Sequence, residues 1–213
     1  GAVASTSGRP GSAHVFALSG GDWVQTARLN PSDGGGSDEF GNSVGVSGDT
    51  VVVGSEYHDT ALGSNAGAVY VFQRISGTWT EVQKLEPHDA LAQRNFGEYV
   101  AISGDVIVVG NRFDTDLGNN SGAAYVFEKS GGLWQETAKL KGSQGARNDH
   151  SADTVRVQGT RIVMASYRAD ASGGKSGAAY VFDKVGGAWV EKARLVANDR
   201  AGELSRGVDL DGD

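Results

Sequence analysis

An all-β fold of repeated four-stranded antiparallel units is what this sequence predicts, on three observations. A hexapeptide recurs four times: Gly-Ser-Ala-His-Val-Phe ending at Phe16, Gly-Ala-Val-Tyr-Val-Phe ending at Phe72, and Gly-Ala-Ala-Tyr-Val-Phe ending at Phe127 and again at Phe182. Each copy is followed by a glycine-bearing turn and a tryptophan, and Trp23, Trp79, Trp134 and Trp189 are spaced by 56, 55 and 55 residues. The composition, 33 glycines against 3 prolines with 38% hydrophobic residues, suits many short strands joined by tight turns better than a helical bundle or a disordered chain. A period of about 50 residues marks a propeller or a repeat array.

The second unit shows the elements most clearly. Val44-Gly45-Val46 closes with Ser47-Gly48-Asp49, and Thr50-Val51-Val52-Val53-Gly54 follows at once, which reads as strands 1 and 2 of a tight hairpin. A polar loop from Ser55 to Ala66 leads to strand 3, Ala68 to Phe72, whose alternation places Ala68, Tyr70 and Phe72 on one face and the valines on the other. Ser76-Gly77 turns the chain into strand 4, Trp79 to Leu85, where charged and apolar residues alternate as on an outer, half-solvated strand. The third unit repeats this with Val106 to Gly110, Ala123 to Phe127 and Trp134 to Leu140. The fourth does so with Arg161 to Ala165, Ala178 to Phe182 and Trp189 to Leu195.

One meander cannot bury both of its faces, so such units must stack, and a radial arrangement leaves only short edges to protect. The architecture expected is a β-propeller forming a single domain over 1–213. Its units run from about 40–95, 96–150 and 151–203, with 204–213 plus 1–39 making the fourth. Leu204 to Asp213 aligns with Phe40 to Asp49, a lone strand 1, and Gly1 to Ser5 aligns with Val51 to Ser55, a strand 2 without its partner. If the C-terminal strand 1 pairs with N-terminal strands 2 to 4, the ring closes at four blades and Gly1 lies near Asp213. The same ends could instead pair between two molecules, or the chain could belong to a larger propeller.

A net charge of -7 leaves no basic footprint for phosphate backbones or anionic lipid, so neither nucleic acid nor membrane insertion is expected, while cationic ligands and metal ions are less disfavoured. There is no cysteine, hence no disulfide framework and no thiolate ligand or nucleophile. No stretch has the apolar length of a membrane span, and Gly1 to Ser7 lacks the regions of a signal peptide, so a mature or excised segment is expected.

The run Phe40-Gly41-Asn42-Ser43-Val44, its echo Phe96-Gly97-Glu98-Tyr99-Val100 and the Gly-Ala-x-Tyr-Val-Phe strands resemble the FG-GAP repeat. That repeat builds the propeller of integrin alpha subunits, many bacterial surface proteins and some fungal lectins. The resemblance covers nearly the whole chain and implies a β-propeller with an extracellular or cell-surface, adhesive or lectin-like role. Ser151-Ala152 and Leu204-Ser205 depart from the Phe-Gly pair. Many members form seven blades and carry an Asp-x-Asp/Asn-x-Asp-Gly calcium loop between strands 1 and 2. Here those turns, Ser47-Gly48-Asp49-Thr50, Ser103-Gly104-Asp105 and Gln158-Gly159-Thr160, are too short and too poor in carboxylates for a calcium shell.

Asp209-Leu210-Asp211-Gly212-Asp213 is the one segment with calcium-like spacing. Asp209, Asp211 and Asp213 could furnish half a calcium shell, but the closing carboxylate is missing and Ala4 stands where one is wanted. An acidic β-turn is therefore the simpler reading, and no cofactor is expected. Asp209 aligns with Gly45, Ala101 and Arg156 on the innermost strand, so in a closed ring Arg156 and Asp209 are expected to form an ion pair lining the channel. The tryptophans, Tyr70, Tyr125, Tyr180 and the matching Phe residues recur at fixed strand positions and are expected to pack between blades, with His14 packed in the tyrosine position of the first unit.

The residues that differ between units are those on the loops. The 2→3 and 4→1 loops emerge on one face, and variable loops on a rigid scaffold are where recognition concentrates. The 2→3 loops offer Tyr57, His58 and Asp59, then Arg112, Phe113, Asp114 and Asp116, then Tyr167, Arg168 and Asp170. Each set combines an aromatic with charge, suited to sugar hydroxyls or a polar protein surface. The 4→1 loops add Asp33, Asp38 and Glu39, then His88 and Asp89, then Arg147, Asn148, Asp149 and His150, then Asn198, Asp199 and Arg200.

Enzymatic constellations are thin. His14, His58, His88 and His150 show no metalloprotease or nucleophile-elbow spacing, and no phosphate-cradling glycine motif opens a helix. Exposed carboxylates such as Asp114 and Asp116 would keep ordinary acidity. The expected function is a non-catalytic extracellular or cell-surface recognition module that binds a glycan or protein through the 2→3 and 4→1 loop face. The alternative is a structural unit that joins copies through blade completion or edge pairing, and a polysaccharide-acting enzyme comes last.

Overall fold

The computed structural model describes residues 11–170, 176–197 and 207–211, and every regular element among them is a β-strand. The strands β1 (Ala13–Ser19) and β2 (Asp22–Leu29) form an antiparallel pair. Three four-stranded antiparallel meanders follow. The first is β3 (Val44–Ser47), β4 (Thr50–Ser55), β5 (Ala68–Ile75) and β6 (Thr78–Leu85). The second is β7 (Tyr99–Ser103), β8 (Val106–Asn111), β9 (Ala123–Ser130) and β10 (Leu133–Leu140). The third is β11 (Ser151–Gln158), β12 (Arg161–Ser166), β13 (Ala178–Val185) and β14 (Ala188–Leu195). By packing, the chain divides into two compact units, Gly1–Glu98 with β1–β6 and Tyr99–Asp213 with β7–β14.

The turn chemistry explains the hairpins. Between strands 3 and 4 of each meander two successive residues take positive φ, as in Ser76 and Gly77 (49° and 85°) or Gly131 and Gly132 (60° and 87°), the geometry that matches the twist of a two-residue hairpin. One turn later the ladder slips by a residue, between Val71 and Phe72 and between Val181 and Phe182, and such a bulge bends the outer strand and increases its twist.

In the first unit the aromatic face of β4–β5 packs on β1–β2. Phe40, Val53, Ala68, Tyr70 and Phe72 meet Ala13 and Leu29, and Phe40 sets its ring edge-on to Tyr70 at 5.4 Å and to Phe72 at 6.1 Å. In the second unit the same face of the third meander, Ile162, Met164, Tyr180 and Phe182, packs on Val108, Ala124, Val126 and Leu140 of the second. Met164 occupies a position that is Val53 and Val109 in the sister sheets, and Ser151 stands where they have Phe40 and Phe96. The larger, adaptable methionine supplies volume that the serine withdraws. Charged ties repeat as well. Ser32 donates its N–H and hydroxyl to Glu81 (2.8 and 2.7 Å), as Ser143 does to Glu191 (2.8 and 2.6 Å).

The junction between a Gly-Ala pair and the following Phe-Gly pair accounts for both halves of the sequence repeat. A β-carbon on Gly67 would lie 2.0 Å from the carbonyl oxygen of Phe96, and one on Gly122 would lie 2.0 Å from that of Ser151. Each contact is a short parallel bridge, with Phe96 N–H donating to Ala66 O and Ser151 N–H to Ser121 O, both 2.9 Å. Only glycine allows so close an approach of two backbones. The residue after the Phe position also needs a left-handed φ, 97° at Gly41 and 94° at Gly97. Ala152 keeps it, at 64°, where the sequence abandons the motif.

Two expectations change at the chain ends. The C-terminal strand 1 is not formed over 207–211, which carry no strand; Val208 and Leu210 lie instead with Val163, Ala179, Val181 and Leu195 around a cavity of about 380 Å³. A Val-Asp-Leu-Asp run has few β-forming residues, and among the described residues it has no strand edge to pair with. Gly1 to Ser5, Asn198, Asp199, Arg200, Leu204 and Asp213 lie outside the described residues, and among the described residues β1 pairs with β2 alone. The expectation that every repeat aromatic packs in the core fails at β1–β2. Phe16 and Trp23 are 52% and 72% exposed, against 3% for Phe72 and Trp134, because among the described residues no sheet covers that face.

Candidate functional site

In the first two meanders the loop after the second strand folds back over the tyrosine of the third. In the first unit this buries His58, whose Nδ1 lies 2.8 Å from Asp38 Oδ2 and 3.4 Å from the Tyr70 hydroxyl. Tyr70 donates its hydroxyl to Asp33 (2.7 Å), and Lys84 donates to Asp33 (2.9 Å) and lies 3.0 Å from Glu86. Burial pushes the Asp33 carboxyl up, but hydrogen bonds from Lys84 and Tyr70 outweigh it and hold the group below its ordinary value. Burial and the Asp33 carboxylate push the Tyr70 hydroxyl far up. Of the residues expected on the loop face, His58 therefore belongs to a buried polar network. Tyr57 is half-buried, and exposed Asp59 accepts the N–H of Asn65 (2.9 Å) in a local turn.

The second meander carries the same device with different residues. Asp114 takes the place of His58, 6% exposed, accepting the Tyr125 hydroxyl (2.9 Å) and pairing with Lys139 (2.7 Å). Asp116 pairs with Lys139 and Lys141, both at 3.0 Å. Burial raises the Asp116 carboxyl and the two lysines more than reverse this, leaving it below its ordinary value. The sequence signal for this arrangement was a polar loop residue three positions after the end of strand 2, 12 residues before the strand-3 tyrosine in the first case and 11 in the second.

In the third meander the device is broken. Gln144 stands in place of Asp33, and buried Ala169 in place of His58 and Asp114. Among the described residues the Tyr180 hydroxyl and the Nε of Arg194 are left without a hydrogen-bond partner. Burial pushes Asp149, the counterpart of Asp38, above its ordinary carboxylate value, although it accepts the Ala146 N–H (2.9 Å). Ala169→His would reproduce the His58 arrangement and give Asp149 a donor and Arg194 an acceptor. It is expected to raise the thermal midpoint by about 2–4 °C, the equivalent of about 1 kcal/mol for a chain of this size. A lower midpoint by calorimetry would show that the site has no room for the ring.

With these networks set aside, the second unit gathers a different group from its 2→3 loops, the loop between β10 and β11, and the start of β11. The ring of Phe113 meets His150 edge-on at 5.8 Å, and His150 meets Tyr167 in the same way at 5.8 Å. Arg112 lies over Phe113 (4.8 Å) and Arg168 over Tyr167 (5.1 Å), with Arg168 Nη1 3.5 Å from His150 Nε2. Arg112 Nη1 donates to Asp153 Oδ1 at 3.2 Å. Tyr99, Arg112, Asp153 and Tyr167 line an open polar pocket of about 220 Å³. Four residues expected on the loop face, Arg112, Phe113, Tyr167 and Arg168, meet here; Asp170 is exposed nearby in sequence. Tyr99 and Asp153 escaped the sequence reading because they begin inner strands, although Asp153 replaces Asn42 and Glu98 of the sister repeats and so changes charge from unit to unit.

The acidic C-terminal run shows no such convergence. Asp209 Oδ1 accepts the N–H of Leu210 (3.0 Å) and lies 3.6 Å from Arg156 Nε, both side chains being solvent-exposed. The described residues bring no third carboxylate to Asp209 and Asp211, and Asp213 lies outside them.

Antiparallel meanders with a glycine–backbone junction define an all-β repeat protein, consistent with a propeller-like fold. Residues 23–72, 79–127 and 134–182 each match the FG-GAP repeat, well over half of the chain, and the protein belongs to the FG-GAP repeat family. Repeats of this family occur in integrin-like surface proteins. No curated protein matches the chain.

Proposed function

We propose that this protein is a non-catalytic recognition module of the cell surface or extracellular space, binding a glycan or protein partner on the loop face of its second unit. The observation that carries the reading is the edge-on cluster of Phe113, His150 and Tyr167, flanked by Arg112 and Arg168; Tyr167 and Arg112 also line the 220 Å³ pocket, and His150 and Tyr167 are buried while Phe113 and both arginines are half-buried. Rigid aromatics backed by guanidinium groups are the side chains that dominate recognition interfaces. The non-catalytic part of the reading is supported by Asp114 and Asp116, the carboxylates best placed for acid–base work, which are engaged by Lys139 and Lys141. On a glycan array and in pull-downs from surface extracts, Tyr167→Ala is expected to weaken binding about thirtyfold, the equivalent of about 2 kcal/mol. Full binding by a folded Tyr167→Ala protein would place recognition elsewhere.

A second reading, assembly between copies, is favoured by β1–β2, where Phe16, Leu18 and Trp23 are 52%, 61% and 72% exposed and no sheet among the described residues covers them. It predicts a solution mass by light scattering above 22.0 kDa that falls to the monomer value in Trp23→Asp. A monomeric wild type excludes it.

A further inference from the structure

We infer that Tyr180 and Arg194 of the third meander form a site for the carboxylate of a bound ligand. Tyr70, Tyr125 and Tyr180 each face a cation across the ladder, Lys84, Lys139 and Arg194 respectively. In the first two meanders a carboxylate of the chain bridges that pair. Asp33 accepts the Tyr70 hydroxyl at 2.7 Å and Lys84 Nζ at 2.9 Å, and Asp114 accepts the Tyr125 hydroxyl at 2.9 Å and Lys139 Nζ at 2.7 Å. The third pair keeps both donors without the acceptor. Exposed Gln144 stands in place of Asp33 and Ala169 in place of Asp114. Among the described residues neither the hydroxyl of fully buried Tyr180 nor the Nε of Arg194 has a hydrogen-bond partner. A buried donor without an acceptor is destabilising, and a ligand that supplies the acceptor relieves it.

The surroundings fix the chemistry of that ligand. The Arg194 guanidinium lies over the Tyr180 ring, 5.9 Å from its centroid, close enough to offset part of the effect of burial on the hydroxyl. An untethered carboxylate is best held by aligned donors, and arginine, where the sister sheets have lysine, provides a planar fork. Negative neighbours do not forbid an anion here. Asp149 and Glu191 stand where the first meander has Asp38 and Glu81, both of which act on Tyr70 while it holds Asp33. Asp149 accepts the Ala146 N–H (2.9 Å) and Glu191 the N–H and hydroxyl of Ser143 (2.8 and 2.6 Å), so neither takes the place of the missing bridge. Access is from the Arg194 side. Gly142, in the place of Pro31 and Pro87, brings its backbone against the Tyr180 ring, where a β-carbon would lie 2.3 Å from Cζ. Ala169 withdraws the polar side chain that His58 and Asp114 present, and half-buried Arg194 reaches solvent. The site is separate from the Phe113–His150–Tyr167 cluster, so either can fail without the other.

Acetate is the first probe, exchanged for chloride at constant ionic strength and followed on the whole chain by the NMR signal of the Arg194 Nε–H. A saturable shift with a millimolar Kd is expected. Tyr180→Phe, which removes a buried hydroxyl that has no acceptor and so should fold, is expected to weaken acetate about tenfold. Ala169→Asp, which restores the carboxylate of the second meander, should abolish the response. Methyl glucuronide and the N-acetyl amide of aspartate then separate a sugar acid from an acidic side chain as the source, the tighter of the two naming it. No response of Arg194 to any of the three carboxylates overturns the inference, as does an acetate response that either variant, once shown to be folded, leaves unchanged.

Discussion

Gly122→Ala is expected to lower the thermal midpoint of the second unit by about 10 °C or more. The residue sits at φ 79°, where an L side chain costs about 1–2 kcal/mol. Its new methyl would lie 2.0 Å from the oxygen and 2.4 Å from the nitrogen of Ser151, both backbone atoms that no rotamer change can move. The junction must open, and with it go Ser151 N–H to Ser121 O and His150 N–H to Asn120 O, at 2.9 and 3.0 Å and worth about 1 kcal/mol each. The sum, about 4 kcal/mol, translates into roughly 10 °C for a chain of this length. Gly132→Ala provides the control, because its φ of 87° is as demanding while nothing lies within 4 Å of the added atom. If calorimetry finds the two variants equally destabilised, backbone conformation alone explains the glycine, and the close approach is not what the motif maintains.

Lys139→Met is expected to cost about 3 kcal/mol, the typical penalty for removing one partner of a buried ion pair. Asp114 and Lys139 are 8% and 11% exposed at the side chain, and without the ammonium the carboxylate keeps only the Tyr125 hydroxyl and the Asp116 N–H. The effect carries a sign in pH. Lys139 and Lys141 hold Asp116 below its ordinary value of 3.8, so this contribution is fully present above that value and is lost as pH falls through the depressed one. The gap between wild type and variant should therefore be widest near neutrality and narrow in acid. Adding Asp114→Asn to Lys139→Met should recover most of the loss by removing the stranded charge. No recovery in chemical denaturation would mean that the lysine acts through its packed stem over the Tyr125 ring, 5.1 Å from its Nζ, more than through its charge.

The strands were legible because strand signals are local. Alternation in Ala68 to Phe72 and its copies gave the faces, and paired residues able to take positive φ gave the hairpins. The β1–β2 pair was harder to read, since burial of Phe16 and Trp23 depends on what lies against them and not on their own repeat. The loop face was read in part. Arg112, Phe113, Tyr167 and Arg168 stood out as aromatics joined to charge, and they do converge. His58 and Asp114 looked equally accessible in sequence and are buried, because the hydroxyl of a tyrosine on a packed strand gains from a polar partner and the loop that precedes the strand supplies one in the first two meanders. The three tyrosines at equivalent positions carried that preference openly. Asp153 was invisible for the opposite reason: its partner Arg112 comes from another repeat, and register within one unit says nothing of pairs across two.

The most direct test of the recognition site is amide hydrogen exchange with and without a ligand selected on the array. Protection is expected at 111–113, 150–153 and 166–168, and nowhere comparable in the first unit. Protection confined to β1–β2, or none at all with ligand bound, would contradict a binding site on the loop face of the second unit.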